Sequence, residues 1–264
     1  FEVYKRAAVI CKDKVLTIRT LDIGGDKDIP YMGLTKESNP FLGYRAIRFC
    51  LGRIDVFTTQ LRAILRASAY GNIRIMLPLI TGVSEVRSVR TILQNVMREL
   101  DSKEIPYDKD ILLGVMIETP AACMLADILA KEADFFSIGT NDLTQYTIAV
   151  DRGNENVAYL YSAFHPAVLR SVKRIIECAK RENIEVGMCG EAAGNPAMIP
   201  LLLAFGLDEF SVTASKVLET RKNIASWTMK EAAAVTDTVM GMSTEKEVSA
   251  YLSDYIATKM SNGK

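Results

Sequence analysis

The fold of this protein is best deduced from one stretch, Phe135-Phe136-Ser137-Ile138-Gly139-Thr140-Asn141-Asp142-Leu143-Thr144-Gln145-Tyr146. Its apolar first half predicts a buried strand, and the Gly-Thr-Asn-Asp that follows predicts a polar loop where the strand ends. Asn141, Asp142 and the nearby Arg152 supply an amide, a carboxylate and a guanidinium, a set that can bind an anionic group and a hard cation. We therefore expect function at this strand end. The alternative is an ordinary polar loop in which Asp142 is a helix N-cap.

Composition and charge exclude several classes of protein. The chain has 264 residues, 49% of them hydrophobic, and 32 basic residues balance 32 acidic ones. Such a chain can bury a large core, and it has no overall charge that favours nucleic acid or an anionic membrane. No apolar run approaches the roughly 18 residues that span a bilayer, and residues 1–6 do not form a signal peptide, so no membrane insertion is predicted.

Cysteine usage bears on the compartment. The five cysteines are odd in number and scattered, with no C-x-x-C spacing, which argues against a disulfide framework and against a zinc site. A cytoplasmic location is predicted. The chain begins with Phe1 rather than Met, so we expect it to be cut from something longer.

Strand-like runs alternate with helix-like segments along the chain. The six strand-like runs are Val15–Leu21, Ile73–Ile80, Ile111–Glu118, the Phe135 run, Ile184–Cys189 and Glu209–Thr213. Between them, apolar residues recur at helical spacing, for example over 86–100 and 169–179. Pro166 and Pro196 each stand just inside a predicted helix start, whereas Pro200 predicts that the second of these helices begins late or kinks.

Repeated strands and helices predict an α/β fold with a parallel sheet covered on both faces. No G-x-G-x-x-G follows the first strand, and polar residues stand at the ends of several strands, which favours a (β/α)8 TIM barrel over an open sheet. These strand-end residues are Arg19, Glu118, Asn141, Asp142 and Cys189. Closure normally takes eight strands, so two are expected to be unrecognised or to lie upstream of this chain.

Arginines are found in three strand-end regions. Arg19, Arg45 and Arg152 each offer a planar fork to a pair of oxygens, and converging guanidiniums suit a ligand that carries a phosphate and a carboxylate. The alternative is that they are solvated surface residues. Arg48 and Lys27 are weaker candidates.

A carboxylate closes the third predicted strand. Glu118 follows the apolar run Gly114–Ile117, where a charge needs a partner. Together with Asp142 it could hold Mg²⁺ and leave the remaining positions to substrate and water. The alternative is a salt bridge between Glu118 and one of the arginines.

One cysteine stands out by its surroundings. Cys189 lies among small residues, between a strand and the Pro196 region, so a ligand could approach it closely. A thiol near arginines and a metal would be suited to proton transfer. The other four cysteines are expected to be inert core residues, and His165, the single histidine, is expected in a loop or at a helix start.

Five motifs together point to a known family. They are Arg19-Thr20-Leu21-Asp22-Ile23-Gly24-Gly25-Asp26-Lys27, Asn39-Pro40-Phe41-Leu42-Gly43-Tyr44-Arg45, Ile117-Glu118-Thr119-Pro120-Ala121-Ala122, the Gly139–Tyr146 run with Asp151-Arg152-Gly153-Asn154, and Met188-Cys189-Gly190-Glu191. In this order they closely resemble the enzyme I family of the bacterial sugar phosphotransferase system, the phosphoenolpyruvate-protein phosphotransferases. The resemblance runs from near the N-terminus to about Arg221. It implies that residues 1–264 are the family's C-terminal phosphoenolpyruvate-binding and dimerisation barrel.

The resemblance also implies a role for each matching residue. Glu118 and Asp142 correspond to the Mg²⁺ ligands, and Cys189 to the acid that protonates the substrate carbon. The residues that correspond to phosphoenolpyruvate binding are Arg19, Arg45, Asn141, Asp142 and Arg152. In such an enzyme phosphoenolpyruvate, with Mg²⁺, donates its phosphoryl group to a histidine, and pyruvate is released.

Two parts of the family pattern are absent from this chain. The first two barrel strands are missing, with an arginine that they carry. The N-terminal domain with the phosphoacceptor histidine is missing as well, and His165 has no such context. The resemblance further implies a histidine-containing phosphocarrier protein as partner, reached through that domain, and a cytoplasmic homodimer.

Two other interpretations stay open from the sequence. The fragment could be only a phosphoenolpyruvate-binding and dimerisation module, because it lacks the histidine that accepts the phosphoryl group. It could also be part of a pyruvate phosphate dikinase or a phosphoenolpyruvate synthase, which share Gly-Thr-Asn-Asp and Cys-Gly-Glu.

Overall fold

The structure is a computed structural model that describes residues 1–24 and 37–262. Helices and strands alternate along these residues. In chain order they are α1 (Glu2–Cys11), β1 (Leu16–Arg19), α2 (Ile47–Gly52), α3 (Ile54–Ser68), β2 (Ile73–Leu77), α4 (Val83–Ser102), β3 (Leu112–Ile117), α5 (Pro120–Met124), α6 (Ala126–Leu129), β4 (Phe135–Gly139), α7 (Thr140–Thr147), α8 (Pro166–Arg181), β5 (Glu185–Cys189), α9 (Ile199–Phe205), β6 (Glu209–Phe210), α10 (Val217–Ala225), α11 (Met229–Met240) and α12 (Glu245–Asn262).

The strands follow one another in the sheet as they do in the chain. Within the described residues the sheet has six strands in the order β1-β2-β3-β4-β5-β6. β1 pairs in parallel with β2, β2 with β3, and β5 with β6. Parallel neighbours joined through helices are successive βα units, the building blocks of a (β/α)8 barrel. The predicted α/β barrel fold with two strands missing is confirmed.

All six predicted strands are present, although several end earlier than predicted. The last predicted run was Glu209–Thr213, and only Glu209–Phe210 pairs as strand. Strand boundaries depend on where a partner strand stops, and this cannot be deduced from one run of residues. The two helical segments are confirmed as α4 and α8.

The prolines mark helix starts with one exception. Pro166 is the first residue of α8, preceded by His165, whose Nδ1 accepts a hydrogen bond from the Ala167 N–H at 3.2 Å. The prediction that His165 lies at a helix start is confirmed. Pro196 is not in a helix, and α9 begins late, at Ile199, with Pro200 in its first turn. A proline in the first turn is tolerated because the N–H it lacks has no partner inside the helix.

The chain divides into two compact units. Unit one comprises Phe1–Met116 and Lys131–Phe135, and unit two comprises Ile117–Ala130 and Phe136–Lys264. Among the described residues, no helix is both long enough and apolar enough to cross a membrane.

A glycine in β3 makes room for an aromatic ring in unit one. A Cβ on Gly114 would overlap the Phe135 ring, which is 1% exposed. The Arg74 guanidinium lies 4.1 Å from the centroid of the same ring. Arg74 is held in turn by a 2.7 Å hydrogen bond from its Nε to Thr17 Oγ1. Because Arg74 is fixed in place beside it, the Phe135 ring has little freedom to move away.

Gly114→Ala is therefore expected to lower the free energy of unfolding by about 1–3 kcal/mol, the usual cost of overpacking a dense core. The measurement is thermal unfolding followed by far-ultraviolet circular dichroism. Gly241→Ala is the matched control, because a Cβ there meets nothing closer than 3.5 Å. Equal stability of the two variants would contradict this account of the β3 core.

Unit two ends in a small aromatic cluster. Trp227 lies between α10 and α11, and its ring stacks on Tyr255 of α12 with centroids 5.8 Å apart. The Lys259 ammonium lies 4.3 Å from the centroid of the indole and donates a 2.8 Å hydrogen bond to Glu231 of α11. That hydrogen bond lowers the pKa of Glu231 to about 2. The cluster thus attaches α12 to the rest of unit two.

Candidate functional site

Unit one brings two of the predicted arginines onto one carboxylate. Arg19 is the last residue of β1, and Arg45 lies shortly before α2. Asp22 forms an ion pair with each, with 3.4 Å between its Oδ2 and Arg19 Nη1 and a 3.0 Å hydrogen bond to its Oδ1 from Arg45 Nη2. The Arg19 side chain is 46% exposed, whereas those of Arg45 and Asp22 are each 10% exposed. Asp22 therefore holds the two guanidiniums together.

The weaker candidates of unit one have other roles or lie outside the description. Arg48 donates from Nη1 to the carbonyls of Leu42 and Gly43, at 2.7 and 3.1 Å, so it holds the loop before α2. Lys27 lies outside the described residues. Burial, and the charge of Asp22, raise the pKa of the Cys50 thiol to about 12, as expected of an inert core cysteine.

In unit two, Glu118 follows β3 directly. The residue after it, Thr119, caps α5 by accepting a hydrogen bond from the Ala122 N–H at 3.1 Å. Glu118 is 3% exposed. Glu118 is thus a buried carboxylate at the carboxyl end of a parallel strand, and its predicted role as a metal ligand stays a prediction.

The Asn141-Asp142 pair lies in the first turn of α7, which begins as β4 ends. The N–H groups of a first helical turn have no partner inside the helix and attract anions. Asp142 is 6% exposed and forms an ion pair with Arg152, whose Nη2 lies 3.4 Å from Asp142 Oδ1. Buried Gln145 accepts a 3.1 Å hydrogen bond from the Arg152 N–H and so fixes the turn that carries this arginine.

Cys189 is the last residue of β5 and is partly exposed. Its carbonyl accepts a 2.9 Å hydrogen bond from Thr140 Oγ1, at the start of α7. Two residues on, the Glu191 N–H donates to Asn141 Oδ1 at 3.3 Å. The ends of β4 and β5 are therefore joined, and the Cys189 backbone contacts the first residue of the helix that carries the Asn141-Asp142 pair.

A tyrosine supports the same turn. The Tyr161 hydroxyl donates to the Asn141 carbonyl at 3.1 Å. Burial of the ring raises the pKa of Tyr161, so its hydroxyl keeps the proton that this hydrogen bond needs. Sequence reasoning assigned no role to Tyr161, Gln145 or Asp22. Tyr161 is connected to Asn141 by tertiary contact alone, whereas Asp22 and Gln145 lie within the quoted motifs, where their nearness to Arg19 and Asp142 was a usable signal.

The remaining cysteines of unit two match the prediction of core residues. Cys123 and Cys178 are buried, and burial raises the pKa of both thiols. Cys189 is the partly exposed cysteine among those of unit two.

The donor set for a metal consists of two carboxylates. Within residues 1–24 and 37–262 no group of three or more His, Cys, Asp or Glu side chains could hold a metal ion by itself. Mg²⁺, however, commonly takes one or two carboxylates and completes its shell with substrate oxygens and water. Glu118 and Asp142, both buried and placed after neighbouring strands, fit that requirement.

Comparison with known proteins decides the family. Residues 1–229 match the family model described as PEP-utilising enzyme, PEP-binding domain. The chain belongs to the PEP-utilising enzymes. The five motifs that indicated this family all lie within the matched residues of the PEP-binding domain, and the predicted resemblance is confirmed.

Curated PEP-utilising relatives carry a more specific name. The chain is 50% identical over 252 residues to proteins named phosphoenolpyruvate-protein phosphotransferase from Bacillus sp. (strain S) and Geobacillus stearothermophilus, covering 96% of this chain and 44% of each relative. It is 48% identical over 254 residues to the protein of that name from Bacillus subtilis (strain 168), covering 96% of this chain and 45% of the relative. The chain thus spans less than half the length of these relatives.

Proposed function

We propose that this chain is the substrate-binding part of a phosphoenolpyruvate-protein phosphotransferase. The complete protein transfers the phosphoryl group of phosphoenolpyruvate to a histidine on a domain outside this chain and releases pyruvate, as the first step of the sugar phosphotransferase system. The observation that carries the proposal is the hydrogen bond from Thr140 to the Cys189 carbonyl, because it brings the backbone of Cys189 to the start of α7, which carries the Asn141 amide and the buried Asp142. Relatives with that name support it.

Charge explains how the substrate is bound. Phosphoenolpyruvate carries a phosphate and a carboxylate, and a guanidinium binds either with two parallel hydrogen bonds. In unit two, Arg152, the Asn141 amide and the first N–H groups of α7 supply such donors. The resemblance assigns Arg19 and Arg45 of unit one to the same substrate, and that assignment stays a prediction.

Glu118 and Asp142 are proposed to hold Mg²⁺. When bound, the ion neutralises negative charge on the phosphate oxygens. Without a cation, two buried carboxylates would repel an anionic substrate, which makes binding dependent on the metal.

Cys189 is proposed to complete the reaction by donating a proton to carbon. When the phosphoryl group passes to the histidine, the bond between phosphorus and the enol oxygen breaks and its electron pair stays on that oxygen. The thiol proton then moves to the methylene carbon, which becomes the methyl group of pyruvate, and the thiolate regains a proton from water. Transfer is downhill because the ketone is more stable than the enol.

The partners are part of the proposal. The phosphohistidine passes its phosphoryl group to a histidine-containing phosphocarrier protein, and the complete protein is a cytoplasmic homodimer. Of the two other interpretations, the dikinase or synthase is not favoured by the names of the relatives. A pure binding and dimerisation module is distinguished by a transfer assay on the complete protein.

Isothermal titration calorimetry tests the proposal directly. We expect this chain to bind phosphoenolpyruvate in the presence of Mg²⁺ and to bind it far more weakly after chelation of the metal. Absence of binding under both conditions would contradict the proposed function.

The same titration tests the metal ligands. Glu118→Gln and Asp142→Asn keep the shape of two buried side chains and remove their charge. Each should weaken Mg²⁺-dependent binding by roughly 100-fold, because even groups that merely support a metal ligand are worth about 10–100-fold. Glu177→Gln, which changes a half-exposed carboxylate of α8, is the control and should bind as the wild type does. Unchanged metal dependence in both site variants would remove Glu118 and Asp142 from the metal site.

A further inference from the structure

We propose that Thr140 is a positioning residue, which sets the position of the Cys189 thiol through the Cys189 carbonyl. This inference rests on the proposed role of Cys189 as the proton donor. It assigns to Thr140 a task that is separate from substrate binding and from metal binding.

The pairing of β5 with β6 ends one residue before Cys189. The Ser211 N–H donates to the Met188 carbonyl at 2.9 Å, which is the last such contact along this edge of β5. Successive carbonyls of a strand face opposite sides, so the Cys189 carbonyl faces the β4 side of β5, where it accepts from Thr140 Oγ1 at 2.9 Å. Thr140 is 2% exposed, so its hydroxyl is directed into the protein rather than to water. A side chain at the start of α7 thus continues the contacts on the β4 side of β5 at the residue that carries the thiol.

The backbone after Cys189 passes very close to α7. Gly190 has a φ of +95°, and a Cβ there would overlap Thr140 Oγ1 and lie 3.1 Å from Asn141 Oδ1. Glycine is required at this position both by the conformation and by the space. Because Gly190 has no side chain, the segment that follows β5 can contact the first turn of α7.

A second hydrogen bond fixes the Asn141 amide in the same contact. The Glu191 N–H donates to Asn141 Oδ1 at 3.3 Å, and an N–H donor determines which end of the amide faces it. The NH₂ end of Asn141 is therefore directed elsewhere, as a donor that suits an anion. The contact between the first turn of α7 and the end of β5 therefore orients both the Asn141 amide and the backbone of Cys189.

The carbonyl and the thiol of Cys189 are attached to the same Cα. Fixing the peptide plane at the carbonyl therefore fixes the direction in which the side chain leaves the backbone. Transfer of a proton to carbon is sensitive to position, and a displacement of about 1 Å can cost roughly 100-fold in rate. Loss of the Thr140 hydroxyl should displace the thiol and leave the arginines and carboxylates in place.

The test compares Thr140→Val, which keeps the shape and removes the donor, with Thr140→Ser, which keeps the donor. In the complete protein with Mg²⁺ and inorganic phosphate, nuclear magnetic resonance follows exchange of the pyruvate methyl protons with deuterated water. We expect Thr140→Val to slow exchange by about 10–100-fold, with phosphoenolpyruvate affinity changed by less than about threefold. Thr140→Ser should restore exchange. Thr147→Val, in the same helix, is the matched control and should behave as the wild type.

A second measurement needs no turnover. The rate at which iodoacetamide alkylates Cys189, followed by mass spectrometry across a pH series, should differ between Thr140→Val and the wild type and return to the wild-type value in Thr140→Ser. If the wild type itself neither binds phosphoenolpyruvate nor exchanges pyruvate protons, the proposed function fails, and alkylation alone decides the role of Thr140. Should Thr140→Val not fold, Thr140→Ala replaces it. Wild-type exchange and wild-type alkylation in a folded variant without the hydroxyl would overturn the proposal.

Discussion

Cys189→Ala in the complete protein should bind phosphoenolpyruvate and Mg²⁺ normally and lose turnover by at least about 100-fold, within the range that general acid catalysis contributes. Binding survives because the guanidiniums and the carboxylates are unchanged. The thiol should also act in reverse as a base, so exchange of pyruvate methyl protons with deuterated water should disappear. Calorimetry measures the binding, and magnetic resonance measures the exchange.

Cys178→Ala is the control for this experiment. Cys178 lies in α8, is buried, and has a raised pKa, so its removal should leave exchange and turnover at the wild-type level. Normal exchange in Cys189→Ala would show that the proton comes from another group.

Arg152→Ala and Arg19→Ala should each weaken phosphoenolpyruvate binding by about 10–100-fold, because hydrogen bonds to charged groups contribute about 1.5–3 kcal/mol. Arg152→Ala also removes the cation that lies 3.4 Å from Asp142, so the anionic substrate meets less positive charge there. Arg19→Lys should not restore affinity, since an ammonium cannot reproduce the two-pronged fork. Titration calorimetry at constant ionic strength gives the affinities.

The control for the arginines must be an arginine without a role in the site. Arg87 of α4 is 68% exposed and pairs with Glu132, and Arg87→Ala should leave affinity unchanged. Arg48→Ala should weaken binding less than either site variant, although it removes the hydrogen bonds that hold the loop before α2. Equal losses in all variants would indicate a diffuse basic surface instead of specific contacts.

The sequence predicted the alternation of strands and helices because that alternation depends on local patterns. The runs that became β1 to β6 are apolar and short, and the periodicity that became α4 and α8 has one apolar face. The start of α9 was harder to place. Pro196 is a plausible first residue of a helix, yet the helix begins at Ile199, since a proline fits an exposed turn equally well.

The placement of the candidate site residues at strand ends was predictable, and their roles stay predictions. Glu118, Asp142 and Cys189 stand at strand ends, and the strands were recognised correctly. The residues that hold them were not predictable. Asp22 binds Arg45 across 23 residues of sequence and Thr140 binds the Cys189 carbonyl across 49, contacts that no local pattern encodes.

The aromatic cluster at the end of unit two has a practical consequence for spectroscopy. Trp227 is the single tryptophan, and it stacks on Tyr255 beneath the Lys259 ammonium. Intrinsic fluorescence excited at the indole therefore reports on the attachment of α12, and it is silent about events confined to unit one. A quencher titration that detects departure of α12 would then show no change while Gly114→Ala loosens β3. Tryptophan fluorescence and far-ultraviolet circular dichroism together would therefore reveal whether the units unfold in one transition or in two.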